Sequence, residues 1–224
     1  MEDLDAADKR QIAIIDDDAS IRRSLARMLK GTGVEARAFA SAQEFLAASS
    51  LESIACVVSD LRMPGINGLE LQRILHERLP HLSMVFITGH GNVTASVAAM
   101  KSGAVDFLEK PANSAALLEA IKQAIDRSRS LITSSNEIET LKARQRRLTV
   151  RENQVFGLVA AGLLNKQIAA ELGTSEKTIK QHRGRVMTKM EADSFAELVL
   201  MAERLGVRAA DIDFAKARGL QSAR

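Results

Sequence analysis

The chain has 224 residues, enough for two small domains with cores of their own at roughly 100–200 residues each. Charged residues make up 26% and hydrophobic ones 46%, ordinary for a water-soluble protein, while the 3% of aromatics, with no Trp or Tyr, argues against stacking platforms for single-stranded nucleic acid. The net charge of +3 hides an asymmetry: residues 1–126 carry 13 Lys and Arg against 17 acids, net −4, and residues 127–224 carry 18 against 11, net +7, so only the second half is expected to meet a polyanion.

The first nine residues are acidic rather than apolar, so no signal peptide is expected. No apolar run approaches the roughly 18 residues of a membrane span. Both readings predict a cytoplasmic protein without a membrane partner. Short β-rich runs then alternate with amphipathic stretches. Strands are predicted at 11–15, 34–39, 54–59, 82–87 and 105–108, and helices near 20–30, 42–48, 68–78 and 93–102. Such alternation predicts an α/β fold, a doubly wound five-stranded parallel sheet with helices on both faces. Punctuation agrees: Ser41 and Glu44 have capping-box spacing, Gly31, Gly33 and Gly103 stand where helices should end, and Pro80 stops the third helix. The single cysteine, Cys56, lies inside the third strand and is read as a buried core thiol. One cysteine excludes an intrachain disulfide framework and a cysteine zinc cluster.

Beyond residue 113 a helical pattern continues through Leu117, Leu118, Ile121 and Ile125, weakens across Ser128 to Ser135, and resumes at Ile138 and Leu141. The polar stretch is either a hinge or the solvated part of one long helix. Residues 148–207 show no strand-like alternation. They read as four short helices near 150–161, 166–172, 176–190 and 194–204, followed by a polar tail, 208–224. The resulting organisation is a first domain at 1–126, a helical linker at 127–147, an all-α helix-turn-helix domain at 148–207, and the tail.

Ligands of open parallel sheets bind at the carboxyl ends of the strands. After the first predicted strand stand Asp16, Asp17 and Asp18; after the third Asp60; after the fourth Thr88; after the fifth Glu109, Lys110 and Pro111. Carboxylates crowded on one rim repel, and a hard divalent cation bound through oxygen relieves that repulsion. A carboxylate is also a nucleophile able to carry an acyl phosphate, with metal, ammonium and hydroxyl stabilising the transferring charge. The set therefore suits phosphoryl chemistry. Asp18 is better read as a helix-start residue than as a third ligand.

In the second half, Ile168, Ala169 and Leu172 form an apolar face, Gly173 supplies a turn and Ser175 an N-cap. In the helix that follows, Ile179, Val186 and Met190 form a core stripe. Lys177, Lys180, Gln181, Arg183, Arg185 and Lys189 occupy the other face. A solvated helix would also look like this, but with the preceding helix and turn the face suits a helix entering the DNA major groove.

Residues 10–126 resemble a CheY-like receiver domain, on the runs Ile14 to Asp18, Val58 to Gly65, Ile87 to His90 and Asp106 to Pro111. Residues 148–207 resemble a LuxR-type domain, on Leu148 to Glu152, Gly162, Asn165 to Ala169, Leu172 to Ile179 and His182. In this order the pair is similar to the NarL/FixJ family of two-component response regulators. The resemblance implies that Asp60 is the phosphoacceptor, and that Asp16, Asp17, Asp60 and the backbone carbonyl of Arg62 hold Mg²⁺, with Mn²⁺ as an alternative. It implies that Thr88 and Lys110 bind the phosphoryl group, that Thr88 and Phe107 form the switch, and that the bond before Pro111 is cis. Arg62 and His90 are expected to tune dephosphorylation; His76 and His81 read as surface residues. Glu152 is expected to be a buried acid tying the first helix of the second domain to the recognition helix. Lys180 and Gln181 would read bases, and Lys177, Thr178, Arg183 and Arg185 would complete the DNA face. Gly184 removes a possible base contact, His182 packs, and Val199 belongs to a dimer face. The implied partners are a sensor histidine kinase, double-stranded promoter DNA, a second copy once phosphorylated, and RNA polymerase. The implied activity is regulation, activation more than repression, and enzyme-like only in the chain's own phosphorylation. Two alternatives remain at this point: a receiver that never takes phosphate, and an aspartate-nucleophile phosphatase of haloacid-dehalogenase type, with Asp16 as nucleophile.

Overall fold

The computed structural model describes residues 11–89, 97 and 99–207. Five parallel strands form one sheet: β1 (Gln11–Ile15), β2 (Ala36–Phe39), β3 (Ile54–Asp60), β4 (Ser83–Thr88) and β5 (Asp106–Glu109), in the order β2-β1-β3-β4-β5. The sheet is buried on both faces, as parallel sheets are. Along β1, Ile12 and Ile14 point into one core layer, and Ala13 and Ile15 into the other. Helices α2 (Ala42–Ala47) and α3 (Gly68–Arg78) cover one face with Phe45, Leu71 and Leu75. Helix α1 (Ala19–Lys30) covers the other with Leu29, joined there by Leu117, Ile121 and Ile125 of α4 (Ser114–Arg146). The predicted helix at 93–102 falls largely outside the described residues, as do the first ten residues and the tail.

Local chemistry accounts for the boundaries. The Asp18 carboxylate accepts from the backbone N–H groups of Ser20 and Ile21 and so caps α1, in keeping with its reading as a helix-start residue. Ser41 caps α2, but Glu44 reaches back to the N–H of Ala40 rather than of Ser41, so the reciprocal box expected from their spacing is displaced by one residue. A reciprocal box does form at α3, between Asn67 and Glu70. Gly68, the first residue of α3, fits where no other residue would. A β-carbon there would lie 2.6 Å from the carbonyl oxygen of Asp60 and 2.7 Å from the ring of Phe86. Cys56 is fully buried, and burial pushes its thiol pKa up to about 12.

The polar stretch at 128–135 does not break the helix; α4 runs continuously from Ser114 to Arg146. Ser128 continues the buried stripe of Ala124 and Ile125, and its hydroxyl accepts from the N–H of Ser83 at 3.0 Å. The chain divides into two compact units between Thr133 and Ser134, so the stretch expected to be a linker is shared between them.

The second unit is helical. Its core gathers Val155, Phe156 and Val159 of α5 (Val150–Ala160), Ile168 and Ala169 of α6 (Asn165–Glu171), Ile179, Val186 and Met190 of α7 (Glu176–Met190), and Leu198 and Met201 of α8 (Phe195–Arg204). Leu141, near the end of α4, is buried in the same core. Two ion pairs fasten that end of α4 further: Arg144 to Glu191 at 2.7 Å and Arg204 to Glu137 at 3.0 Å. Gly173, at φ +60°, makes the turn after α6, and Ser175 caps α7 by accepting from the N–H of Thr178.

Candidate functional site

The parallel register brings the ends of β1, β3, β4 and β5 to one rim, where Asp16, Asp60, Thr88 and Lys110 meet. Asp60 and Thr88 are the last residues of their strands, each of which runs one position beyond the end predicted. The Lys110 ammonium bridges two carboxylates, 2.6 Å from Asp16 Oδ2 and 2.8 Å from Asp60 Oδ2. Asp16 Oδ1 accepts from the N–H of Asp18, and Asp60 Oδ1 from the N–H of Arg62. Asp16, Asp17 and Asp60 each place a carboxylate oxygen within 4.8 Å of the others. The bond between Lys110 and Pro111 is cis, as expected.

Electrostatics follow from burial. Asp16 is buried, and desolvation pushes its carboxyl above the usual range against the lowering pull of Lys110 and of the Asp18 N–H. Burial pulls the Lys110 ammonium down, but its hydrogen bonds to Asp16 and Asp60 outweigh that and hold its pKa above the ordinary lysine value. Three carboxylates against one ammonium leave the cluster negative. Its donors are hard oxygens with Asp17 open to solvent, a set that fits a small divalent cation. Thr88 is buried at the end of β4. Phe107 is half-buried with its ring 6.4 Å from that of Phe86. The Arg62 side chain is exposed, His76 is exposed and His81 half-buried; His90 lies outside the described residues.

Sequence reasoning did not find Arg22, which donates to the Asp16 carbonyl at 2.6 Å and steadies the end of β1 from α1. Its six-residue distance from Asp16 carries no motif. Asp16 itself is 2% exposed and hydrogen-bonded on both oxygens, which leaves it poorly placed as the nucleophile of a phosphatase.

On α7, Lys177, Lys180, Gln181 and Arg185 are exposed, opposite the buried Ile179, Val186 and Met190. Thr178 is half-buried, its hydroxyl 2.9 Å from that of Ser175. Arg183 is engaged within the protein: it donates to Asn165 at 2.6 Å and lies over the Phe195 ring at 4.9 Å. Lys189, counted among the exposed cations by sequence, instead turns to Glu152 at 2.6 Å. Glu152 is buried, caps α5 together with Thr149, and through Lys189 joins α5 to α7. The hydrogen bond from Lys189 outweighs desolvation and holds the Glu152 carboxyl down at about 2. His182 is half-buried; burial and then Arg185 and Arg151 lower its pKa, in keeping with a packing role. Arg151 donates to the carbonyl of Leu172 and ties α5 to the end of α6. On α8, Val199 is half-buried and its neighbour Leu200 is 58% exposed.

Residues 12–122 match the family described as response regulator receiver domain, and residues 146–202 that described as bacterial regulatory proteins, luxR family. Nodulation protein W of Bradyrhizobium diazoefficiens is 43% identical over 205 residues, 92% of this chain and 90% of that protein. The transcriptional regulatory protein FixJ of Azorhizobium caulinodans is 42% identical over 200 residues, covering 89% and 95%. Among solved structures, response regulator StyR aligns with TM-score 0.74 at 40% identity over 88% of this chain and 99% of that one. Full-length FixJ from B. japonicum aligns with TM-score 0.54 at 43% identity over 88% and 98%. Among the described residues no helix is long and apolar enough to cross a membrane. A receiver domain with its acidic rim, followed by a luxR-family helical domain, places this chain in the FixJ-like family of response-regulator transcription factors.

Proposed function

We propose that Asp60 is the phosphoacceptor through which a sensor histidine kinase controls DNA binding by the second unit. The observation that carries this is the Lys110 ammonium 2.8 Å from Asp60 Oδ2, on a rim that also holds Thr88 and the Asp16–Asp17 pair. In the transfer, an Asp60 oxygen attacks phosphorus, the P–N bond of a phosphohistidine breaks, and its electron pair returns to the imidazole. Lys110 and Thr88 hold the oxygens of the arriving group. Mg²⁺ (or Mn²⁺), held by Asp16, Asp17, Asp60 and the Arg62 carbonyl, would neutralise charge there. Arg62 and His90, two residues beyond Asp60 and Thr88 respectively in the sequence, tune the return hydrolysis.

The acyl phosphate draws Thr88 inward, and Phe107 turns into the space this vacates. Two such receivers then pair, and a dimer places two readers on two related half-sites. Lys180 and Gln181 read bases; Lys177, Thr178 and Arg185 contact phosphates, while Arg183 stays on Asn165 and Phe195. Glu152 acts through Lys189 to position α7. The DNA-reading unit begins within α4, at Ser134, since Leu141 belongs to its core. The protein acts in the cytoplasm on promoter DNA and activates transcription through RNA polymerase.

The test is solution mass and promoter binding of the full chain, with and without a small phosphodonor plus Mg²⁺, for wild type and Asp60→Ala. Donor-dependent dimerisation and tight binding by wild type alone support the reading. If both proteins are already dimeric and bind the promoter equally tightly without donor, the helix-turn-helix stands and the phosphorylation switch falls.

A further inference from the structure

A glycine inside a helix is destabilising, because it loses more backbone freedom than any other residue. Gly184 is the ninth of the 15 residues of α7, and its backbone is ordinary helix. It is exposed, and a β-carbon built on it meets no atom within 4 Å. Nothing inside the protein therefore requires glycine there. At 3.6 residues per turn, Gly184 shares one outward line with Lys177, Gln181 and Thr188, opposite the buried Ile179, Val186 and Met190.

The missing side chain opens a shallow depression of about 430 Å³, lined by Lys180, Gln181, Gly184, Arg185, Thr188 and Lys189. Its floor and its rim differ in chemistry. Thr188 donates its hydroxyl proton to the Gly184 carbonyl at 3.1 Å. The Lys189 ammonium is turned away onto Glu152 at 2.6 Å, which leaves its aliphatic stem in the lining. The floor is thus largely apolar. The rim, with Lys180, Gln181 and Arg185, is cationic and rich in donors. In the major groove, the apolar feature set among hydrogen-bond acceptors and phosphates is the thymine methyl group.

We infer that Gly184 is a specificity-determining position whose vacant slot takes the methyl group of a thymine in duplex DNA. The inference rests on the DNA-binding reading above. A side chain here would add no missing contact; it would hold the helix off the groove floor.

The full chain, with phosphodonor and Mg²⁺, is used to enrich sequences from a random duplex library, and each thymine of the recovered site is replaced in turn by deoxyuridine. One thymine whose methyl loss weakens wild-type binding about fourfold is expected, the effect of one buried methyl. Gly184→Ala should bind the recovered thymine duplex at least about fivefold more weakly and cease to distinguish thymine from uracil there. The same substitution should raise the thermal midpoint, by about 4 °C, because alanine favours the helix and the site is open. If wild type enriches no sequence, the DNA-binding reading falls and takes the inference with it. If wild type enriches a site and every thymine-to-uracil change is neutral, or Gly184→Ala binds as tightly as wild type, the inference is overturned while DNA binding stands. A lowered thermal midpoint would overturn it too, by showing that the slot is needed within the protein.

Discussion

Lys189→Ala should loosen the junction between α5 and α7. The Glu152 side chain is 3% exposed and that of Lys189 32%, with the two 2.6 Å apart. Breaking a fully buried pair by removing one partner costs roughly 3–5 kcal/mol, since a charge is left buried without compensation. Two features reduce that here. The Lys189 side of the pair is partly wet, so water screens the stranded carboxylate, and Glu152 keeps the N–H of Thr149 at 2.8 Å. About 2 kcal/mol is therefore expected. Replacing Glu152 by Gln first removes the charge that would be stranded, and Lys189→Ala in that background should cost about 0.5 kcal/mol or less, a coupling of about 1.5 kcal/mol. Amide hydrogen exchange in peptides from α5 and α7, measured on the full chain at neutral pH, reads the local opening free energy directly. A Lys189→Ala protein with wild-type protection in both helices, or equal losses in both backgrounds, would refute the account of this pair as the tie between them.

The same carboxylate fixes a pH dependence. Its folded pKa, about 2, lies below the ordinary 4.5, so its stabilisation is complete above about pH 4.5 and is lost as pH falls toward 2. Acid titration of α5 and α7 protection should be visibly shallower in Glu152→Gln than in wild type over that window; parallel curves would count against it. Leu141→Ala, although in the stretch read from sequence as linker, should destabilise the helical unit by about 2–3 kcal/mol, the range for a buried leucine near the margin of a core. Its rate of phosphorylation by a small donor should stay at the wild-type value. Lys177→Ala or Arg185→Ala should each lower the slope of log affinity against log salt by about 0.9 per site while leaving sequence preference unchanged; an unchanged slope would place that cation off the phosphates.

The fold was legible because its signals are periodic or local. Alternation located β1 with both ends in place and the other strands to within two residues. The rim was legible because parallel strands deliver their ends to one side, so Asp16, Asp60, Thr88 and Lys110 could be gathered without knowing the strand order. What escaped depends on partners far apart in the chain. The serines of α4 read as an interruption, yet Ser128 is a small polar residue on a buried stripe, satisfied by a backbone N–H from residue 83. Lys189 read as one more cation on a basic face, because the carboxylate it meets is 37 residues away. Arg183 was drawn toward Asn165 and Phe195 for the same reason. Charge counts along a helix show which residues are available, not which are already taken.

The close seat of Gly68 against the Asp60 carbonyl has a mechanical consequence. Helix α3 and the tip of β3 touch without slack, and the N–H of Gly68 also donates to the carbonyl of Leu61 at 2.9 Å. The two elements behave as a strut braced on its anchor: α3 cannot tilt at this end without dragging the aspartate, and the aspartate's backbone cannot recoil without pushing α3. Displacement is thereby channelled into the side chain of Asp60 and away from its main chain. Any side chain added at position 68 would therefore have to displace either the start of α3 or the backbone of Asp60.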